Sequence, residues 1–236
     1  WTEWKSFAGR LVDRDGTEVP CQLVQQPAIV GGKKMLLWMD RLGPESSREL
    51  FLDPAAPAAP ATDLVAEGTS IGNARLAVRA GAVGGAALFA IHRAGSAGAP
   101  LAGPAEVRVQ ADPSDTWSHG IPSFEGVEVG RFRVVHAAVE ESGPVRATLR
   151  VRAELGRSTL CARVRLYAGA PYADVELELS WSAGASIAKL VVPFAGSGTE
   201  RRDGIPGGSI VRKQDGREYP LLDWTIAPSG LGVAAP

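Results

Sequence analysis

The chain has 236 residues, with 25 Lys+Arg against 26 Asp+Glu for a formal net charge of -1, and is 45% hydrophobic and 22% charged. That length allows one large domain, or a large one with a small companion, and the balance is that of a globular chain rather than a disordered one. Near-neutrality excludes the basic footprint of a nucleic-acid or anionic-membrane binder, and the longest uncharged apolar-rich run, Ala80–His92, falls short of the ~20 residues a spanning helix needs.

In chain order, the first expected strands are Phe7–Val12 and Val19–Val24. They flank Asp13-Arg14-Asp15-Gly16, a turn sequence with glycine where positive φ is expected. Residues 53–63 hold three prolines and five alanines and read as an extended connector. This connector divides an N-terminal strand group (residues 1–52) from a large β-sandwich (64–236). A long surface loop inside one domain is the alternative reading. Further strands are expected over Arg75–Val78, Glu106–Val109 and Arg131–Val139.

The most regular segment is Val145–Ala153. Val145, Ala147, Leu149, Val151 and Ala153 fall on one face and Arg146, Thr148, Arg150 and Arg152 on the other, the period-2 pattern of a half-buried strand. Ser158–Leu166 and Tyr172–Trp181 repeat the pattern, with Arg163 and Arg165 outward on one and Asp174, Glu176 and Glu178 outward on the other. The short turns between the three make an antiparallel meander, with Val151, Val164, Val175 and Leu177 expected in the core. Ile187–Phe194 adds another strand. No convincing amphipathic helix longer than two turns is found. The fold class is therefore all-β, an antiparallel sandwich.

Chemistry-bearing patterns are few. His92, His119 and His136 form no metal-binding motif, and His92 and His136 read as structural. There is no nucleophile elbow and no phosphate-binding glycine loop. Cys21 and Cys161 are too few for a disulfide framework; they read as small buried residues in a reducing, cytoplasmic setting. The start at Trp1 points to a processed protein or a segment cut from a longer chain. The most loaded stretch is Asp112–Gly120, where carboxylates, hydroxyls, an indole and an imidazole share one Pro/Gly-bounded loop. Two readings stand. The loop binds a sugar, with an aromatic face against C–H groups and a carboxylate for hydroxyls; or it makes local turn bonds while Trp117 covers a core edge.

Six stretches, in order, resemble segments of the C-terminal β region of bacterial family-38 glycoside hydrolases, the zinc-dependent retaining α-mannosidases. They are Asp15–Gln22 (DGTEVPCQ), Ile71–Leu76 (IGNARL), Asp115–Gly120 (DTWSHG), Glu140–Ala147 (EESGPVRA), Arg165–Pro171 (RLYAGAP), and Ile205–Arg212 followed by Asp215–Pro220 and Trp224. Gly207 and Lys213 depart from the family pattern, which has Tyr and Pro there. The resemblance implies a β-supersandwich of the galactose-mutarotase type. It also implies a partner, the N-terminal catalytic barrel of a parent chain, which would hold the zinc and the nucleophilic aspartate. No cofactor and no catalytic or metal-binding residue is then expected in this chain. Its sugar-pocket candidates are Asp115, Trp117 and His119, with Arg212 shaping the rim, and the carbohydrate is a mannoside. Two other functions are carried beside this one. One is a self-sufficient aldose 1-epimerase using His119 with Glu125 or Glu128 as acid and base. The other is a carbohydrate-binding or purely structural β module.

Overall fold

The computed structural model describes residues 9–24, 35–38, 43–56, 58, 61–95, 101–114, 117, 119–121, 123–195, 198–228 and 230–235. Phe7 and Ala8 of the first expected strand, and Asp115, lie outside the described residues. Among those described, every regular element is a strand, every pairing is antiparallel, and no helix is long and apolar enough to cross a membrane.

The chain opens with β1 (Arg10–Asp13), β2 (Glu18–Val19), β3 (Cys21–Val24), β4 (Met35–Trp38) and β5 (Leu50–Asp53). β2, β1 and β5 form one small sheet and β3 pairs with β4. The turn after β1 follows from its residues: the Asp13 carboxylate accepts the Asp15 and Thr17 amides at 3.0 and 2.8 Å, and Gly16 takes φ +80°. β6 (Val65–Glu67), β7 (Ser70–Gly72), β8 (Leu76–Ala80), β9 (Ala87–Arg93), β10 (Ala105–Ala111) and β11 (Glu128–Arg131) then pair in succession. A four-stranded sheet follows, β12 (Arg133–Ser142), β13 (Arg146–Leu155), β14 (Ser158–Tyr167) and β15 (Ala173–Ser180), again in chain order. The chain then returns to the first large sheet as β16 (Ser186–Val191), along β10. A last sheet, ordered β18-β17-β19-β20, consists of β17 (Glu200–Ile205), β18 (Gly208–Lys213), β19 (Trp224–Ile226) and β20 (Gly232–Ala234).

The meander has the expected register. Leu149 faces Val164 and Val164 faces Val175, while Arg163 faces Glu176. The apolar residues of β13 and β14 are buried against Ile71, Val78, Leu88, Val107 and Val109 of the other sheet. On the outer face the charges pair as the alternation requires. Arg163 meets Glu140, Glu176 and Glu178, and Arg165 meets Glu176 at 2.5 Å.

Two expectations need correction. Arg131–Val139 is not one strand. Phe132, fully buried, breaks it where the chain leaves the first large sheet and enters the second, and its ring lies 6.3 Å from that of Trp181. Val175 is not a core residue. It points to the apolar side, but β15 is an edge strand with no further strand paired to it among the described residues, so Val175 stays 39% exposed and Leu177 is only half-buried.

Two side-chain amides hold the sheets together. Gln22 on β3 reaches across to the β12–β13 hairpin. Its Oε1 accepts the amides of Val145 and Arg146 at 3.1 and 3.0 Å, and its Nε2 donates to Glu141 at 2.6 Å and to the Arg146 carbonyl at 3.1 Å. Glu141 in turn binds Arg146 and the Thr148 hydroxyl. Gly143 sits beneath this amide; a Cβ there would lie 2.2 Å from Gln22 Oε1. Asn73 does the same for the β14–β15 turn. It donates to the carbonyls of Tyr167 and Ala170 at 2.8 and 3.0 Å, and accepts the Arg75 and Leu76 amides. Gln22 and Asn73, with their partners, are the residues of four of the six resembling segments.

Leu149→Ala should cost about 2–5 kcal/mol, whereas Val175→Ala should cost under about 1 kcal/mol; comparable losses in urea unfolding would mean that β15 is covered. Gln22→Ala should cost about 2–4 kcal/mol, because it strands two backbone amides and the buried side of Glu141. A urea midpoint unchanged from the parent chain would refute the bridging role.

Candidate functional site

Arg212 lies on β18 directly opposite Arg201 on β17, and Asp203 shares their face. Alternation along β17 forces this, since residues two apart point the same way. Asp203 is 0% exposed. Arg201 Nε lies 3.0 and 3.1 Å from its two oxygens, and the Thr225 hydroxyl donates to Oδ1 at 2.7 Å. Arg212 Nε is 3.7 Å away, a charge contact rather than a hydrogen bond.

The Tyr219 ring covers both guanidinium groups, with Arg212 Cζ 5.1 Å and Arg201 Cζ 5.6 Å from its centroid. Arg212 Nη1 donates to the Pro220 carbonyl at 2.7 Å. The ring is itself fixed by Tyr219 Oη donating to Asp215 at 2.8 Å. That bond pushes the phenol up from its ordinary range and holds the carboxyl below its own. Arg212 is thus held on one edge by a carbonyl and on one face by a ring, beside a buried negative charge.

The loop after β10 is closed at its base. Ala111 N donates to Val127 O at 2.8 Å, and the Asp112 carboxylate accepts both the amide and the hydroxyl of Ser114. Of the loop candidates, Asp115 lies outside the described residues, while Trp117 and His119 are both exposed. Trp117 is 79% exposed, so it does not cover a core edge.

The loop is tied to the last sheet through Glu218. Its carboxylate accepts the Phe124 amide at 2.7 Å and pairs with Lys189 of β16, whose ammonium also donates to the Phe124 carbonyl. The Lys189 charge holds the Glu218 carboxyl below its usual range. His119 is five positions before Phe124, so it lies within ~18 Å of this tether, and Tyr219 is the residue after Glu218. The structure therefore links the loop to the Arg212 clamp through one short segment, Asp215–Pro220.

Asp203 and Lys189 were not singled out in the sequence. The signal for Asp203 was present: Arg201-Arg202-Asp203 puts a cation and an anion two apart on a strand. Lys189 carried no comparable signal, because its partners are 29 and 65 residues away.

Other groupings have less chemistry. No cluster of three or more His, Cys, Asp or Glu among the described residues could hold a metal ion, so these residues do not fit a zinc site. Glu128 is gripped by Arg131 at 2.5 and 3.0 Å and held below its ordinary range, which makes it a poor proton acceptor for an epimerase. A shallow groove of about 260 Å³ on the outer face of β13–β15 is lined by Arg152, Thr159, Cys161, Glu178 and Ser180, and by none of the candidates. Burial pushes the Cys161 thiol up, away from the thiolate a nucleophile needs.

The chain matches none of the curated proteins compared with it. Among solved structures it is similar to an α-mannosidase from Enterococcus faecalis V583, with a TM-score of 0.60 and 11% identity over 93% of this chain and 31% of that one. The chain thus spans about a third of that structural relative, a likeness that shows the fold. The family model for the glycosyl hydrolases family 38 C-terminal domain matches residues 117–234, from the exposed tryptophan through the Arg212 clamp. The chain belongs to glycosyl hydrolase family 38, as its C-terminal domain.

Proposed function

We propose that this chain is the C-terminal β module of an α-mannosidase-like retaining glycoside hydrolase that acts on α-mannosides. Its zinc and its nucleophile lie in a separate N-terminal barrel. The observation that carries this reading is the family match over 117–234, which holds Trp117, His119 and Arg212 in one continuous stretch. The chemistry agrees: retaining hydrolysis needs a carboxylate nucleophile and a second carboxyl flanking the scissile bond, and metal assistance needs a cluster of ligands. We assign the module structural support and the rim of the pocket.

In that rim, the Trp117 indole offers a stacking face for a pyranose, His119 and Asp115 offer polar partners for hydroxyls, and Arg212 offers a cation whose direction is fixed by Tyr219 and Pro220. Residues 1–52 form a strand group joined through 53–63 to the sandwich of 64–236. The connector hydrogen bonds to both parts, through Ala58 N to Glu18 and Thr62 Oγ1 to Pro144.

The 236-residue chain alone is expected neither to hydrolyse 4-nitrophenyl α-mannoside nor to retain zinc through gel filtration. Chelator-sensitive turnover by the purified chain would overturn the division of labour. In the intact parent polypeptide, Trp117→Ala should lower kcat/KM about tenfold while shifting stability by less than ~0.5 kcal/mol. Unchanged kcat/KM in that variant removes Trp117 from the pocket.

A further inference from the structure

The last sheet, β17–β20, leaves apolar side chains exposed on both faces, although Asp203 is buried on one of them. By register, Ile210 lies opposite Asp203 and Val233 opposite Thr225, which places both on the face of Arg212. Val211 and Ile226 both lie opposite Arg202, on the other face. Leu221 and Leu222 run alongside, where the Leu222 amide bonds the Gly204 carbonyl. All six apolar side chains are 41–61% exposed. A sheet in a sandwich normally hides one face, and exposed apolar side chains gathered along one sheet mark a contact surface.

We infer that β17–β20 is the surface on which this domain packs against the part of the family-38 polypeptide outside these residues, through apolar side chains flanked on the partner by carboxylates. This rests on the reading of the chain as the C-terminal domain of such an enzyme. Length argues for that occupant: the stretch matched in the Enterococcus α-mannosidase is 31% of its chain, so most of a comparable polypeptide lies outside this domain. Charge argues for the carboxylates. Arg202 and Lys213 share the Val211 face with one carboxylate, Glu200 opposite Lys213, so cations are in excess there; neither cation is ion-paired among the described residues, and Arg202 has the Ser209 hydroxyl at 3.4 Å.

Hydroxyl-radical footprinting of the 236-residue chain and of the intact polypeptide tests this directly. Val211, Leu221 and Leu222 should be modified about fivefold more slowly in the intact polypeptide, as expected for the buried core of an interface, while the similarly exposed Val65 and Val83 keep their rates. Leu222→Asp and, separately, Arg202→Glu should return Val211 towards its rate in the shorter chain, with the melting temperature of that shorter chain unchanged. Rates within about twofold in the two forms overturn the inference, as does protection that arises in the 236-residue chain through dimerisation seen by light scattering. Mannosidase turnover by an intact polypeptide whose sheet is unprotected defeats this inference alone. Protection without turnover on α-mannosides upholds it and defeats the glycosidase reading.

Discussion

One carboxamide joins the N-terminal strands to the four-stranded sheet. Gln22 belongs to a two-stranded sheet near the N-terminus, yet its four hydrogen-bonding positions are spent on a hairpin more than 100 residues later in the chain. A side-chain amide suits the task because it presents a donor and an acceptor in one plane and mimics the edge of a strand. A carboxylate in its place would repel Glu141, and an aliphatic side chain would leave the amides of Val145 and Arg146 without partners. Around this contact the hairpin is fixed in height, and β13 with it. β13 is the strand whose Leu149 and Val151 lie at the centre of the packed core.

The outer face of the meander obeys a different logic. There the side chains are long, charged and partly wet, so each ion pair adds little by itself. Arg163 nonetheless bridges three carboxylates from two strands, Glu140, Glu176 and Glu178. Such a lattice makes a one-residue slip of β14 against β15 unfavourable, since it would exchange every opposite-charge contact for a mismatch and bury the guanidinium groups. Register is thus guarded from both sides, by burial within and by charge without.

These rules are local, and so they could be read from the residues. Alternation placed β13, β14 and their inward residues correctly, because side-chain direction depends only on parity. What parity cannot carry is position within the sheet. Val175 has the right direction for a core residue but sits on an edge strand, and no pattern inside Tyr172–Trp181 announces an edge. The break at Phe132 was hidden for the same reason. A buried aromatic at a sheet-to-sheet corner resembles a buried aromatic within a strand. At the candidate site, the resembling segments contained Glu218, Tyr219 and Arg212, but their partnership with Lys189 and Asp203 arises from strand order, which lies beyond any single segment.

The way Arg212 is held also bears on how this domain tolerates change. None of its partners belongs to the Pro206–Gly207 tip of the β17–β18 hairpin; they come from β17, from Tyr219 and from the Pro220 backbone. Gly207, at φ +79°, has open space where a side chain would begin. The tip is therefore mechanically decoupled from the guanidinium it precedes. The turn alone holds position 207 to glycine, because φ +79° strains an L side chain even in open space, while the direction of the arginine is set elsewhere.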